Sequence, residues 1–273
     1  MPEYLIHKAV DLSKVLKARK AVLSQPGYLD REYLGQAKYD GCNVIFLLSV
    51  AGEEDQVLSR TGERVRSMEW LLPDMHRVFA HQIMQYGGIA VLGEAWHPKK
   101  PFAEISGLFR KQKENADLGV RVFDLLMWGE WQAGRSGEDY MTRLSRLLCG
   151  SYDAADADIK VARTHFTPGT SGHETWQGWC NELKARGGYD GLILRDPKGT
   201  WARGSGVTGE IIKLKPVLSF DLRVIGLEEG KGKHAGRLGA IVEVEAMDFS
   251  ADGLLREPRF KGVRFDKLEA DYE

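Results

Sequence analysis

Lys38-Tyr39-Asp40-Gly41-Cys42-Asn43, followed at once by the apolar run Val44 to Val50, sets a lysine beside a carboxylate and a glycine at the mouth of a strand. Gly41 permits a tight turn, and the run after it has the length of a buried strand. This is one way to present a lysine nucleophile to a nucleotide phosphate. A K-x-D-G tetrapeptide alone is weak, so its weight rests on its companions downstream in the chain.

Outward from that stretch, five further motifs appear in order. They are Leu92-Gly93-Glu94, Val122-Phe123-Asp124, Asp190-Gly191-Leu192-Ile193-Leu194-Arg195, Ile211-Ile212-Lys213-Leu214-Lys215-Pro216 and Arg264-Phe265-Asp266-Lys267. The series resembles the six ordered motifs of the covalent nucleotidyltransferases: ATP-dependent DNA ligases, RNA ligases and mRNA capping enzymes. The resemblance is nearest to the short bacteriophage ATP-dependent DNA ligases and runs from about Lys38 to the C-terminus. Ser106-Gly107-Leu108-Phe109-Arg110 and the stretch from Gly230 to Gly239 add to it.

The resemblance implies ATP as AMP donor, Mg²⁺ or Mn²⁺ as the metal, and nicked duplex DNA as partner. It implies Lys38 as nucleophile, Asp40 as its positioning carboxylate, and Glu94 and Asp190 as metal-associated or ribose-associated carboxylates. Phe123 matches an aromatic that stacks on adenine, and Arg60 an arginine that contacts nucleotide or DNA phosphate. Arg195 is expected at the nucleotide, and Arg264 and Lys267 orient the departing pyrophosphate. Expected DNA contacts are Asn43, Arg203, Lys231, Lys233 and Arg237. Two residues depart from the pattern: Asp190 stands where the family usually has Glu, and Asn43 where DNA ligases commonly have Arg. An amide offers hydrogen bonds without charge, so an RNA ligase remains open, as do a GTP-using capping enzyme and a non-catalytic module that binds DNA ends.

The chemistry makes its own demands. A lysine attacks phosphorus only as the free amine, so a reference pKa of about 10.4 must fall toward neutrality, a cost of about 4 to 5 kcal/mol. Neighbouring cations lower it. Lys213 and Lys215 alternate on one strand and share a face, with Ile212 and Leu214 directed to the core, so both are expected near Lys38. Gly226 to Lys233 is not a phosphate-binding P-loop: its glycines are one residue too close and no Ser or Thr follows Gly230-Lys231.

Lys and Arg total 38 against 39 Asp and Glu among 273 residues, so no global field draws in a nucleic acid. Local basicity must serve: from Arg195 to Arg237 nine Lys or Arg face five acids. Three widely spaced cysteines form no C-x-x-C pair, and no leader or membrane span is evident, so a soluble, monomeric, cytoplasmic protein is expected.

Helices are predicted over Leu12 to Leu23, Ser67 to Tyr86, Glu138 to Leu148 and Thr175 to Arg186. Strands are predicted at Ile89 to Trp96 and Val120 to Met127. Without regular β-α-β alternation the class is α+β. The expected organisation is a nucleotidyltransferase (adenylation) domain of antiparallel sheets with flanking helices, residues 1–216, then a short OB-fold domain, residues 217–273. Its strands are expected at Phe220 to Leu227, Leu238 to Ala246 and Phe260 to Arg264, with elements missing between Val244 and Leu254 that leave the barrel incomplete.

Overall fold

The computed structural model describes residues 4–149, 158–204, 206–216, 218–222, 242–246, 248–249, 255–256 and 259–263. The chain divides into two units, Met1–Leu214 and Lys215–Glu273. Strands of the first are β1 (Leu34–Tyr39), β2 (Cys42–Ser49), β3 (Gln56–Ser59), β4 (Gly88–Trp96), β5 (Gly119–Met127), β6 (Arg135–Ser136), β7 (Ile159–Val161), β8 (Thr164–His165), β9 (Tyr189–Arg195), β10 (Trp201–Ala202) and β11 (Ile211–Leu214). Its helices are α1 (Lys17–Leu23), α2 (Tyr28–Glu32), α3 (Leu72–Val78), α4 (Ala80–Tyr86), α5 (Phe102–Phe109), α6 (Trp128–Ala133), α7 (Tyr140–Leu148) and α8 (Trp176–Arg186).

Two sheets carry the unit. One has the order β3-β2-β4-β5-β7, antiparallel except for the β5–β7 pair. The other runs β11-β9-β1-β8. The α+β class is therefore correct. In β2 the apolar run is buried on both faces. Val44, Phe46 and Leu48 pack with residues of α3, α4, α5 and α7, while Ile45 and Leu47 face Trp131 and Trp201. The second sheet buries Leu192, Leu194 and Ile212 against Trp176, Trp179 and Leu183 of α8.

Two predicted helices are broken, each for a local reason. Over Leu12–Leu23 a 3₁₀ turn, Leu12–Lys14, is followed by extended Val15 and Leu16 before α1 begins. Val15 is buried there and the Leu16 amide donates to the Val207 carbonyl at 2.7 Å, so tertiary contact overrides helical spacing. The stretch Ser67–Tyr86 opens as a 3₁₀ turn and is divided at Phe79, whose φ of −105° and ψ of 18° end α3. Gly87, at φ 70°, closes α4. The helix expected from Glu138 starts at Tyr140, with the Asp139 carboxylate accepting the Thr142 amide at 2.7 Å as its cap.

Between the sheets lies a buried polar network. Arg143 of α7 grips Asp124 of β5 through two bonds, 3.0 and 3.2 Å. Arg195 of β9 approaches the same carboxylate at 3.8 Å and donates to Gln36 of β1 at 2.7 Å. Gln36 in turn donates to Tyr140 and Thr164, and the Tyr140 hydroxyl to the Phe123 carbonyl.

In the second unit β12 (Leu218–Leu222), β13 (Val242–Ala246) and β16 (Arg259–Val263) form an antiparallel sheet, order β12-β13-β16. The short strands β14 (Asp248–Phe249) and β15 (Leu255–Arg256) pair separately, the first inside and the second just past the stretch Val244 to Leu254 where elements are expected to be missing. No closed barrel forms among the described residues. No described helix is long and apolar enough to cross a membrane, and the three cysteines are unpaired.

Removing one partner of a buried ion pair strands the other in a low dielectric. Arg143→Ala should therefore cost about 3 to 5 kcal/mol, read as a fall in the urea midpoint at constant m. A loss below about 1 kcal/mol, the scale of exposed pairs, would show that Asp124 finds full compensation elsewhere.

Candidate active site

Lys38 stands near the end of β1, beside a bulge that shifts the β1–β9 register between Ala37 and Tyr39. Its ammonium pairs with Asp190 of β9 at 2.7 Å, both side chains about a quarter exposed. Gly191, at φ 116°, gives the Asp190-Gly191 step a conformation that L side chains rarely adopt. Gly41 is required by space: a Cβ there would lie 2.3 Å from the Ala95 carbonyl oxygen, where the turn after Lys38 crosses β4. The motif glycine thus lets the chain leaving β1 enter β2 hard against β4, just beyond the lysine.

An aromatic cluster holds that meeting point. Tyr39, Trp96 and Tyr189 have ring centroids 5.0 to 5.7 Å apart, and the Trp96 indole donates to the Gly188 carbonyl at 3.0 Å. Burial pushes the Tyr39 phenol up to about 12, so it stays neutral.

Glu94 lies across the cleft. It pairs in register with Asn43 of β2 on one side and Arg121 of β5 on the other, so the three share a sheet face. Burial pushes its carboxyl up to about 7; Lys38, a hydrogen bond from Asn43 and the charge of Arg60 pull it down, and Asp40 pushes it further up. The Asn43 Oδ1 is buried without a hydrogen-bond donor. Arg60, exposed past the end of β3, lies over the Tyr4 ring at 5.5 Å.

Phe123 sits at the bulge in the β4–β5 pairing, half-buried. The Arg195 guanidinium covers it at 5.0 Å and the Tyr140 ring at 4.7 Å. Arg195 is itself buried. Lys213 and Lys38 stand on strands separated by β9. Lys213 pairs with Asp11 at 3.4 Å, while Ile212 and Leu214 face the core as the alternation requires. Lys215 follows β11 at the start of the second unit. Arg203 lies over Trp131 at 4.3 Å, with its amide bonded to the Gly134 carbonyl. Lys231, Lys233, Arg237, Arg264 and Lys267 fall outside the described residues.

Sequence reasoning missed Arg121, Gln36, Tyr140 and Arg143. A signal existed for one pair: Tyr140, Arg143, Leu144 and Leu147 share the buried side of α7, and an arginine on an apolar helix face demands a buried acid. Among the described residues no three His, Cys, Asp or Glu side chains gather into an all-protein metal cage. Magnesium does not need one, since it is commonly held by one or two carboxylates together with substrate phosphates and water. The Glu94 and Asp190 carboxylates fit that use.

Because the folded value of Glu94, about 7, exceeds the ordinary 4.5, the folded protein keeps a proton that the unfolded chain releases. The stability carried by the protonated form is full below the unfolded value and is lost as pH rises through about 7. Wild type should therefore lose thermal stability relative to Glu94→Gln between about pH 5 and about pH 8, without nucleotide or metal. A pH-independent gap would contradict this.

No protein-family model matches the chain. The DNA ligase of Halobacterium salinarum is 24% identical over 253 residues, covering 86% of this chain and 42% of that protein. The DNA ligase of Natronomonas pharaonis is 25% identical over 252 residues, covering 87% and 42%. The chain thus spans less than half the length of these relatives. Among solved structures, the ATP-dependent DNA ligase of bacteriophage T7 in complex with ATP aligns at TM-score 0.58 and 17% identity, covering 95% of this chain and 98% of that one. A Lig E DNA ligase, described as binding DNA with a minimal scaffold, aligns at 0.60 and 16%, covering 95% and 100%. The chain has the fold of the ATP-dependent DNA ligases and is similar in sequence to the DNA ligases of Halobacterium salinarum and Natronomonas pharaonis along most of its length.

Proposed function

We propose that the chain is an ATP-dependent DNA ligase that seals a 5′-phosphate to a 3′-hydroxyl at a nick. The observation that carries this reading is the Lys38–Asp190 pair, set where two sheets meet and facing Glu94. The pair fixes the direction of the amine at 2.7 Å from the carboxylate.

In the first step the Lys38 Nζ attacks the α-phosphorus of ATP. A P–N bond forms, the α–β P–O bond breaks and pyrophosphate leaves. Phe123, fixed from behind by Arg195, offers a flat apolar ring to the base. Glu94 and Arg60 flank the ribose and phosphates, and Asp40 positions the turn. Arg264 and Lys267 are assigned to the leaving pyrophosphate. In the second step a 5′-phosphate oxygen attacks the lysyl-AMP phosphorus and the P–N bond breaks. In the third the 3′-hydroxyl attacks the 5′-phosphorus and AMP leaves. Glu94 and Asp190 would hold Mg²⁺ or Mn²⁺, which would supply charge neutralisation at the phosphates. Lys213 and Lys215 are assigned to the phosphate side of the same site. Arg203, Lys231, Lys233 and Arg237 are assigned to the DNA backbone.

The Asn43 Oδ1 favours a second reading. A buried acceptor without a donor suits a ribose 2′-hydroxyl, the group that separates RNA from DNA. Under it the strand sealed is RNA.

Incubation with α-labelled ATP should attach label to the protein, and Lys38→Ala should abolish it; a chase with nicked duplex DNA should release AMP and seal the strand. Absence of label would leave a non-catalytic DNA-end-binding module, label from GTP alone would make it a capping enzyme, and sealing confined to nicked RNA would select the second reading.

A further inference from the structure

One row of side chains crosses the five-stranded sheet on the face that carries Glu94. Register pairs Asn43 with Glu94, Glu94 with Arg121, and Arg121 with Lys160 of β7. Residues directly opposite in a ladder project to the same face, so the row runs from a neutral amide through a carboxylate to two cations, Arg121 on β5 and Lys160 on the edge strand β7.

Arg121 is held as though for a ligand. It is half-buried, its guanidinium lies 5.1 Å from the centre of the Trp96 ring, and one nitrogen donates to the Val120 carbonyl at 3.1 Å. Trp96 is fixed by its bond to Gly188 and its packing on Tyr39 and Tyr189. Among the described residues no carboxylate lies within ion-pairing distance of Arg121 or of the exposed Lys160, although Glu94 is the next residue in the row. Elsewhere in this unit arginines that reach the interior find acids, as Arg143 and Arg146 do. A planar cation stacked on a fixed ring, with donors left over, matches a phosphate better than a solvated surface charge does.

We propose that Arg121, with Lys160 beside it, binds backbone phosphates of the polynucleotide whose 5′-end receives AMP, so that the cation absent at position 43 is supplied two strands away. The proposal rests on the ligase reading. It adds residues that neither composition nor motif order singled out.

The test uses the full chain, charged with α-labelled ATP, freed of nucleotide and then mixed with nicked duplex DNA. Affinity is followed by fluorescence anisotropy over a salt series and AMP transfer by loss of label from the protein. Arg121→Gln and Lys160→Gln should each flatten the plot of log affinity against log salt by about 0.9, one phosphate contact. Arg121→Gln should slow transfer about tenfold, and Asn43→Arg added to it should recover part of that loss. Arg121→Lys should keep the wild-type slope, because the charge remains, while transfer slows. A wild-type slope in Arg121→Gln overturns the proposal, as does failure of Asn43→Arg to recover any transfer. If Arg121→Gln does not fold, the exposed Lys160→Gln decides alone, and an unchanged slope there overturns the pair. Wild-type protein that takes no label sinks the ligase reading instead.

Discussion

The Asp124 carboxylate is the point on which the larger unit depends. It is fully buried in β5, is gripped by Arg143 from α7, and lies within reach of Arg195 from the other sheet. Three elements distant in sequence therefore share one charge. Such a group is costly to bury and strongly destabilising to leave unpaired. Its partners restrict how the sheets approach: Arg195 must lie over Phe123 and Tyr140 while bonding Gln36, which fixes β9 and β1 relative to β5. Lys38 is two residues beyond Gln36 on β1, and Asp190 is on β9. The geometry of the Lys38–Asp190 pair is thus set partly by a network that touches neither residue.

That dependence explains which parts of the site were legible in the chain. The order of Lys38, Glu94, Phe123, Asp190 and Lys213 could be read because each sits in a local motif beside or within a strand. Strand bounds followed from apolar runs, as in β2, and from alternation, as in β11 where Ile212 and Leu214 turn inward. Pairing across strands could not be read, because register is a long-range property. Asp11 as the partner of Lys213 lies far upstream, just ahead of a stretch whose spacing predicts a helix. The helix breaks at Val15–Leu16 and at Phe79 were hidden likewise, since periodicity continues through them while tertiary contacts and local dihedrals do not.

Glycine shows the same division. Gly41 could be recognised as a turn residue from its neighbours, but its main constraint is steric and distant, the Ala95 carbonyl of β4. Substitution there would push the β1–β2 turn off β4 just beyond the lysine, so an inert-looking methyl group would act on the nucleophile's surroundings. The aromatic trio of Tyr39, Trp96 and Tyr189 works to the same end from the other side, filling the junction with rings rather than with charge.

The electrostatics of the cleft follow from this crowding. Glu94 is desolvated enough that its carboxyl rises to about 7, and the Asn43 amide beside it contributes hydrogen bonding but no positive charge. An arginine at position 43 would stand next to that carboxylate on the same sheet face and bring a cation to its near side. With asparagine there, one amide hydrogen bond serves Glu94 and the cations of the row stand on its far side, at Arg121 and Lys160. Among the described residues neither cation forms an ion pair with Glu94, and Lys160 is exposed on the edge strand β7. Moving a charge two strands along one face preserves the field that an anionic substrate meets while changing which groups are left to bind it.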